Sequence, residues 1–151
     1  MPELRVHVDV AVPAGRAWAA IADWESQGAW MVATKVRGTA DHVGGRLEGW
    51  TGLGPVGFLD TMTVTEWDPP HRCVVLHTGR VVRGTGGFEV APNGERRSRI
   101  TWWERVDLPF GVVGRTGWLV AGPLTRLFFA YSLRRLKRIL EAPPTPPTKA
   151  H

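Results

Sequence analysis

The chain has 151 residues, of which 43% are hydrophobic and 22% charged, and its formal net charge is +5. That length supports one domain with a real core and leaves no room for two full-sized ones, while the composition excludes wholesale disorder. The charge permits an anionic partner, but the basic residues are scattered apart from the run "RRLKR" at 134–138, and the lone Cys73 excludes an intrachain disulfide and fits a reducing compartment.

No basic segment leading into an apolar core opens the chain, so no signal peptide is expected and the expected location is cytoplasmic. Residues 3–12, "ELRVHVDVAV", alternate strictly, with Leu4, Val6, Val8, Val10 and Val12 on one face and Glu3, Arg5, His7 and Asp9 on the other. That pattern predicts a half-buried strand. Pro13 suits the start of a helix, and Ala14, Trp18 and Ile21 follow at helical spacing. A second short helical piece is expected at "ESQGAW", residues 25–30.

Six strands are then expected, in "MVATKVRG", "GGRLEGWTG", "GFLDTMTVTEW", "HRCVVLHTG", "VVRGTGGFEVA" and "RRSRITWWERVDL". Short turns rich in Gly, Pro, Asn and Asp separate them, which predicts an antiparallel meander, and Asn93-Gly94 is the strongest hairpin signal. One connection, "GLGPVG" at 52–57, spells the glycine pattern of a dinucleotide-binding turn. Such a turn needs a helix after it to meet the phosphates. The residues that follow alternate with period two, so the glycines are read as a hairpin connection with no nucleotide.

The last third is helical in period. Leu124, Leu127, Phe128 and Tyr131, then Leu133, Leu136 and Leu140, give a long amphipathic helix. Pro123 either starts it or kinks a longer helix begun near Thr116. The apolar stretch containing Pro123 and Arg126 is too short to cross a bilayer, so no stable membrane insertion is expected. Residues 1–142 are expected to form the domain, and the Pro-rich 143–151 a disordered tail.

The segments "VPAGRAWAAIADWESQGAW", "TVTEWDPPHR" and "GGFEV…GERRSRITWWERVDLP" resemble the START/pollen-allergen-like (SRPBCC) superfamily, in its bacterial polyketide cyclase/dehydrase and lipid-transport branch. The resemblance runs over residues 4–141, with "EWDPP" at 66–70 its most specific piece. It implies an α+β helix-grip: a curved seven-stranded antiparallel sheet wrapped around the long C-terminal helix, two short helices after the first strand, and an apolar cavity between sheet and helix. Gly44, Gly45, Gly49, Gly86 and Gly87 are expected to be bends or bulges that let the sheet curl. These motifs specify architecture and carry no shared active-site signature.

Alternation assigns the concave face. Phe58, Asp60, Met62 and Val64 share one side of their strand, as do Ser98, Ile100, Trp102 and Glu104, Cys73, Val75 and His77, and Leu47, Gly49 and Thr51. The ligand-contacting residues expected from this are Trp30, Phe58, Met62, Val75, Ile100, Trp102, Trp118, Leu124, Phe128 and Tyr131. Asp60, His77 and Glu104 are polar residues on apolar faces and are the candidates for acid–base chemistry. For the two carboxylates the plainer reading is a strand end in water or a pairing with Arg, because a buried carboxylate is costly unless paired. His77 is open between a satisfied core residue, a surface residue and a ligand contact. His7 and Asp9 lie on a polar face without further ligands, so no metal is expected. His42 reads as surface, Cys73 as an inert core thiol, and Trp18, Trp24 and Trp67 as helix-to-sheet packing.

Three functions remain. The first is binding or transport of a small hydrophobic molecule, lipid or polyketide-like, with no cofactor. The second is a polyketide cyclase, aromatase or dehydratase that uses the polar cavity residues as acid and base. The third, more distant, is a basic surface module for nucleic acid or anionic membrane. The cations at 134–138 alternate with buried leucines as a solvated helix face does, so no nucleic-acid partner is expected. The sequence leaves the oligomeric state open.

Overall fold

The computed structural model describes residues 3–80, 82–106 and 112–142, with side chains throughout except at 112–115 and 118. The proposed tail at 143–151 therefore lies outside the described residues. The alternating N-terminal segment forms β1 (Glu3–Val10). Helix α1 (Ala14–Ala22) follows Pro13, which supplies an extended N-cap. A 3-10 helix (Trp24–Ala29) then turns the chain back toward the sheet. Next come β2 (Thr34–Arg37), β3 (Arg46–Leu53), β4 (Val56–Asp68), β5 (Arg72–Thr78), β6 (Arg83–Pro92) and β7 (Ser98–Val106). Helix α2 (Val112–Glu141) contains Pro123 in its interior, so the proline sits within a longer helix and does not start one.

All seven strands form one antiparallel sheet in the order β1-β7-β6-β5-β4-β3-β2. The meander from β2 to β7 is closed by the first strand pairing with the last, Val6 opposite Trp102. This is the helix-grip expected from the sequence: a curled half-barrel of sheet holding the long C-terminal helix. The "GLGPVG" segment is the β3–β4 hairpin, with Leu53 opposite Val56 and Gly54 at φ +59° in the two-residue turn. A Cβ on Gly52 or Gly57 would strike the facing strand, so those glycines let the two backbones close up. The β6–β7 hairpin turns over five residues rather than two; Gly94 takes φ +81° and Asn93 N–H donates to the Arg97 carbonyl at 2.9 Å. Gly44 and Gly45 lie in the connection before β3 and not inside a strand, which corrects their expected role.

The packed core lies toward the closed end. Val10, Ile21, Trp30, Val64, Ile100, Leu133 and Leu136 are fully buried there. Trp67 meets Trp18 edge to face at 5.4 Å and Trp24 at 6.4 Å, fixing the helical segments on the sheet. The end of α2 is tied to the turn after β1. Lys137 Nζ donates to the Asp9 carbonyl at 3.0 Å, and Glu141 Oε1 accepts from Ala11 N–H at 3.0 Å. Of the basic run, Arg134 and Arg138 are exposed, while Arg135 donates to the Ala29 carbonyl at 3.0 Å.

The face that α2 turns inward differs from the expected one. Phe129, Ser132, Leu133, Leu136 and Leu140 are buried, whereas Leu127 is 64% and Tyr131 51% exposed. Ser132 Oγ accepts from the Val32 amide at 3.3 Å, so a polar residue occupies the buried stripe with its hydroxyl satisfied.

Candidate functional site

Beyond the packed core the sheet and the N-terminal half of α2 diverge, leaving a cavity of about 510 Å³. Its walls come from alternate residues of the middle strands. Leu47, Gly49 and Thr51 lie on β3, Phe58, Asp60 and Met62 on β4, Cys73, Val75 and His77 on β5, Phe88 on β6, and Trp102 and Glu104 on β7. Thr125, Phe128 and Phe129 of α2 face them, and Trp24, Gln27 and Met31 add to the wall from the helical segment. Trp102 stacks flat on Phe129 with ring centroids 3.7 Å apart and planes at 5°. Phe88 and Trp30 contact Trp102 from the core side, at 5.4 and 6.1 Å between centroids.

The three polar candidates converge. His77 Nδ1 lies 2.9 Å from Asp60 Oδ1, and His77 Nε2 lies 2.7 Å from Glu104 Oε2. Trp102 Nε1–H donates to the other Glu104 oxygen, Oε1, at 3.2 Å. The side chains are 4% exposed for His77, 16% for Asp60 and 14% for Glu104. Asp60 and Glu104 therefore neither reach bulk water at strand ends nor pair with Arg; each is paired with His77.

This convergence depends on residues with no side chain. His77 is opposite Gly84 on β6, and Glu104 is opposite Gly86. Two strand spacings of roughly 5 Å separate β5 from β7, and an ordinary side chain on β6 would stand between them. A Cβ on Gly86 would fall inside van der Waals contact of the Glu104 carboxylate. Gly86 thus leaves the space on β6 that the Glu104 carboxylate occupies as it meets the imidazole. Gly87 lies against the ring of Trp103, which the guanidinium groups of Arg72 and Arg105 approach at 5.4 and 6.0 Å.

Burial disfavours the charged imidazole, but the hydrogen bonds to Asp60 and Glu104 and their negative charge outweigh it, raising His77 to about 10. The site can therefore hold a proton between two carboxylates and exchange it with either. Cys73 is the opposite case: burial, together with the charge of Glu66, pushes its thiol up to about 12, which leaves it an unreactive neutral wall group. Among the described residues no group of three His, Cys, Asp or Glu side chains is arranged to hold a metal. In the triad the donors face one another and not a common centre.

Of the residues expected on the wall, Phe58, Met62, Val75, Trp102, Leu124 and Phe128 line the cavity. Trp30 and Ile100 do not: both are packed in the core behind Trp102, at 2% and 0% exposure. Tyr131 projects to solvent because the buried stripe of α2 is rotated toward Phe129. The side chain of Trp118 lies outside the described residues. Sequence reasoning missed Phe129, Thr125, Gln27 and Met31. The signal for the first two was present, since counting back from Leu140 through Leu136 and Leu133 at intervals of three and four reaches Phe129 and then Thr125.

The profile of a family described as "Polyketide cyclase / dehydrase and lipid transport" matches residues 1–141. A search of curated proteins by sequence finds no match. Among solved structures, that of TTHA0849 from Thermus thermophilus is similar, with a TM-score of 0.78 and 16% identity over 93% of this chain and 98% of that one. The di-domain ARO/CYC BexL from the BE-7585A biosynthetic pathway gives 0.72 and 16% over 93% of this chain and 48% of that one, so this chain spans about half of it. Protein Ms6760 from Mycobacterium smegmatis gives 0.69 and 17%, over 93% and 91%. Identities this low speak for the fold alone. Among the described residues no helix is long and apolar enough to cross a membrane.

Proposed function

Because the chain belongs to the polyketide cyclase/dehydrase and lipid transport family, we propose that it binds a small, largely apolar molecule in the cavity between the sheet and α2. The observation that carries this reading is the cavity itself, about 510 Å³ with walls of Leu, Met, Val, Phe and Trp side chains. Ligand sites of this kind are mostly apolar, with a few placed polar groups that fix orientation. Native mass spectrometry of the purified protein tests it, together with titration of an environment-sensitive hydrophobic dye. A co-purified mass or saturable dye uptake is expected. Trp102→Ala should weaken dye binding while the protein still melts cooperatively. A wild-type protein that takes up neither dye nor lipid overturns the reading.

The triad favours a second reading, in which the bound molecule is also acted on by proton transfer. A group poised to accept or donate a proton inside a partly desolvated pocket is what cyclisation or dehydration of a polyketide-like chain requires. One structural neighbour is named an ARO/CYC, and at 16% identity that name supports the reading only through the shared fold. Loss of turnover of a polyketide-like substrate in His77→Gln, with ligand affinity kept, would support catalysis. Unchanged turnover in that variant would take His77 out of the chemistry, and no turnover by the wild-type protein would leave binding as the whole function.

A further inference from the structure

Resting on the binding reading above, we propose that the occupant carries a cationic amine head seated against the triad, and that molecules with an anionic head are turned away. The charge of the triad follows from its geometry. Each ring nitrogen of His77 faces a carboxylate oxygen at hydrogen-bond distance. Each contact needs a proton, because two lone pairs so close repel. Two protons shared among one imidazole and two carboxylates leave a net charge of one unit negative, wherever the protons sit. Cys73 is the other titratable side chain among the described residues of the wall, and its thiol is neutral. No Lys or Arg is among those wall residues. The guanidinium groups on the strands of His77 and Glu104 are paired on the convex face, Arg72 to Glu66 and Glu89, and Arg105 to Glu3.

An acceptor is also left for the occupant. Asp60 contacts His77 through Oδ1 and is itself one of the lining residues, which leaves its second oxygen to accept from an occupant. A protonated amine at that point donates to Asp60 Oδ2 and neutralises the site, in a setting where charge is weakly screened. A carboxylate there meets like charge. The surface of the protein, at a formal +5, pulls in the opposite direction, so a preference for an amine cannot come from overall charge.

Three probes with one apolar body test the proposal: naphthylmethylamine, naphthylmethanol and naphthoate, each titrated calorimetrically into the wild-type protein at neutral pH. The amine should bind tightest, the alcohol next, and the naphthoate at least about 10-fold weaker than the amine, equivalent to about 1.4 kcal/mol. Asp60→Asn should erase the advantage of the amine over the alcohol. Glu104→Gln makes the same change of charge should the first variant fail to fold. If naphthoate binds as tightly as the amine while the alcohol also binds, the amine proposal falls and the apolar binding reading stands. If none of the three binds, the binding reading fails and the proposal falls with it.

Discussion

Burial alone would discharge His77, yet its two carboxylate partners hold it at about 10 against an ordinary 6.5. A folded-state pKa raised in this way contributes stability that is fully present below the unfolded value and is lost as pH rises toward the folded one. The melting temperature should therefore fall steadily above pH 6.5. Cys73, moved from 9.0 to about 12, adds its own decline only above about pH 9, so the interval from 6.5 to 9 isolates His77. His77→Gln, which cannot carry the second proton, should flatten that interval in a series of thermal melts; a slope equal to wild type would show that the triad does not govern it. Gly86→Ala tests the same contact from the opposite strand. Its methyl group displaces the flexible end of Glu104, losing a charge-assisted hydrogen bond of about 1.5–3 kcal/mol. The reduced chain entropy of the unfolded state offsets part of that loss. The variant should fold with a net loss of about 1–2 kcal/mol at neutral pH and show a shallower slope across the same interval.

Among the elements, the strands were legible and the long helix was only half so. The faces assigned to β3, β4, β5 and β7 hold because a period of two survives until the register shifts, and the one irregularity in β4 falls between Val64 and Glu66, past the cavity residues. Helix α2 carries apolar residues on both sides, so Leu127 and Tyr131 competed with Phe129 and Leu133 for the buried stripe. The phase break between Tyr131 and Leu133, two residues apart where three or four keep a face, was the clue to the true one. Phe129→Ala should cost about 3 kcal/mol, the low end of the range for a buried aromatic, because one side of the Trp102 stack borders the cavity. Leu127→Ala should stay within about 0.5 kcal/mol of wild type. Chemical denaturation of the two variants checks the assignment, and equal losses would place both residues on the buried stripe.

For the whole molecule, the sequence supplied the fold and the membership of the polar trio but not their meeting. Asp60, His77 and Glu104 come from three strands, and the room for the Glu104 carboxylate depends on Gly86 of a fourth, read from sequence as a means of bending the sheet. Absent side chains leave no periodic signal of what they make room for. The cavity has a mechanical consequence as well. Unfilled space inside a folded chain is eliminated when the chain opens, and single domains shrink by about 20–100 mL/mol on unfolding in proportion to such space. In a cavity of about 510 Å³ with largely apolar walls, the part that water does not fill adds to that contraction and should make the free protein more sensitive to hydrostatic pressure. An occupant that fills the space removes much of that contraction. Unfolding followed by tryptophan fluorescence in a pressure cell should show a larger volume change for the free protein than for the protein saturated with a bound naphthyl probe. The part of the molecule most sensitive to pressure is then the same part proposed to hold the ligand.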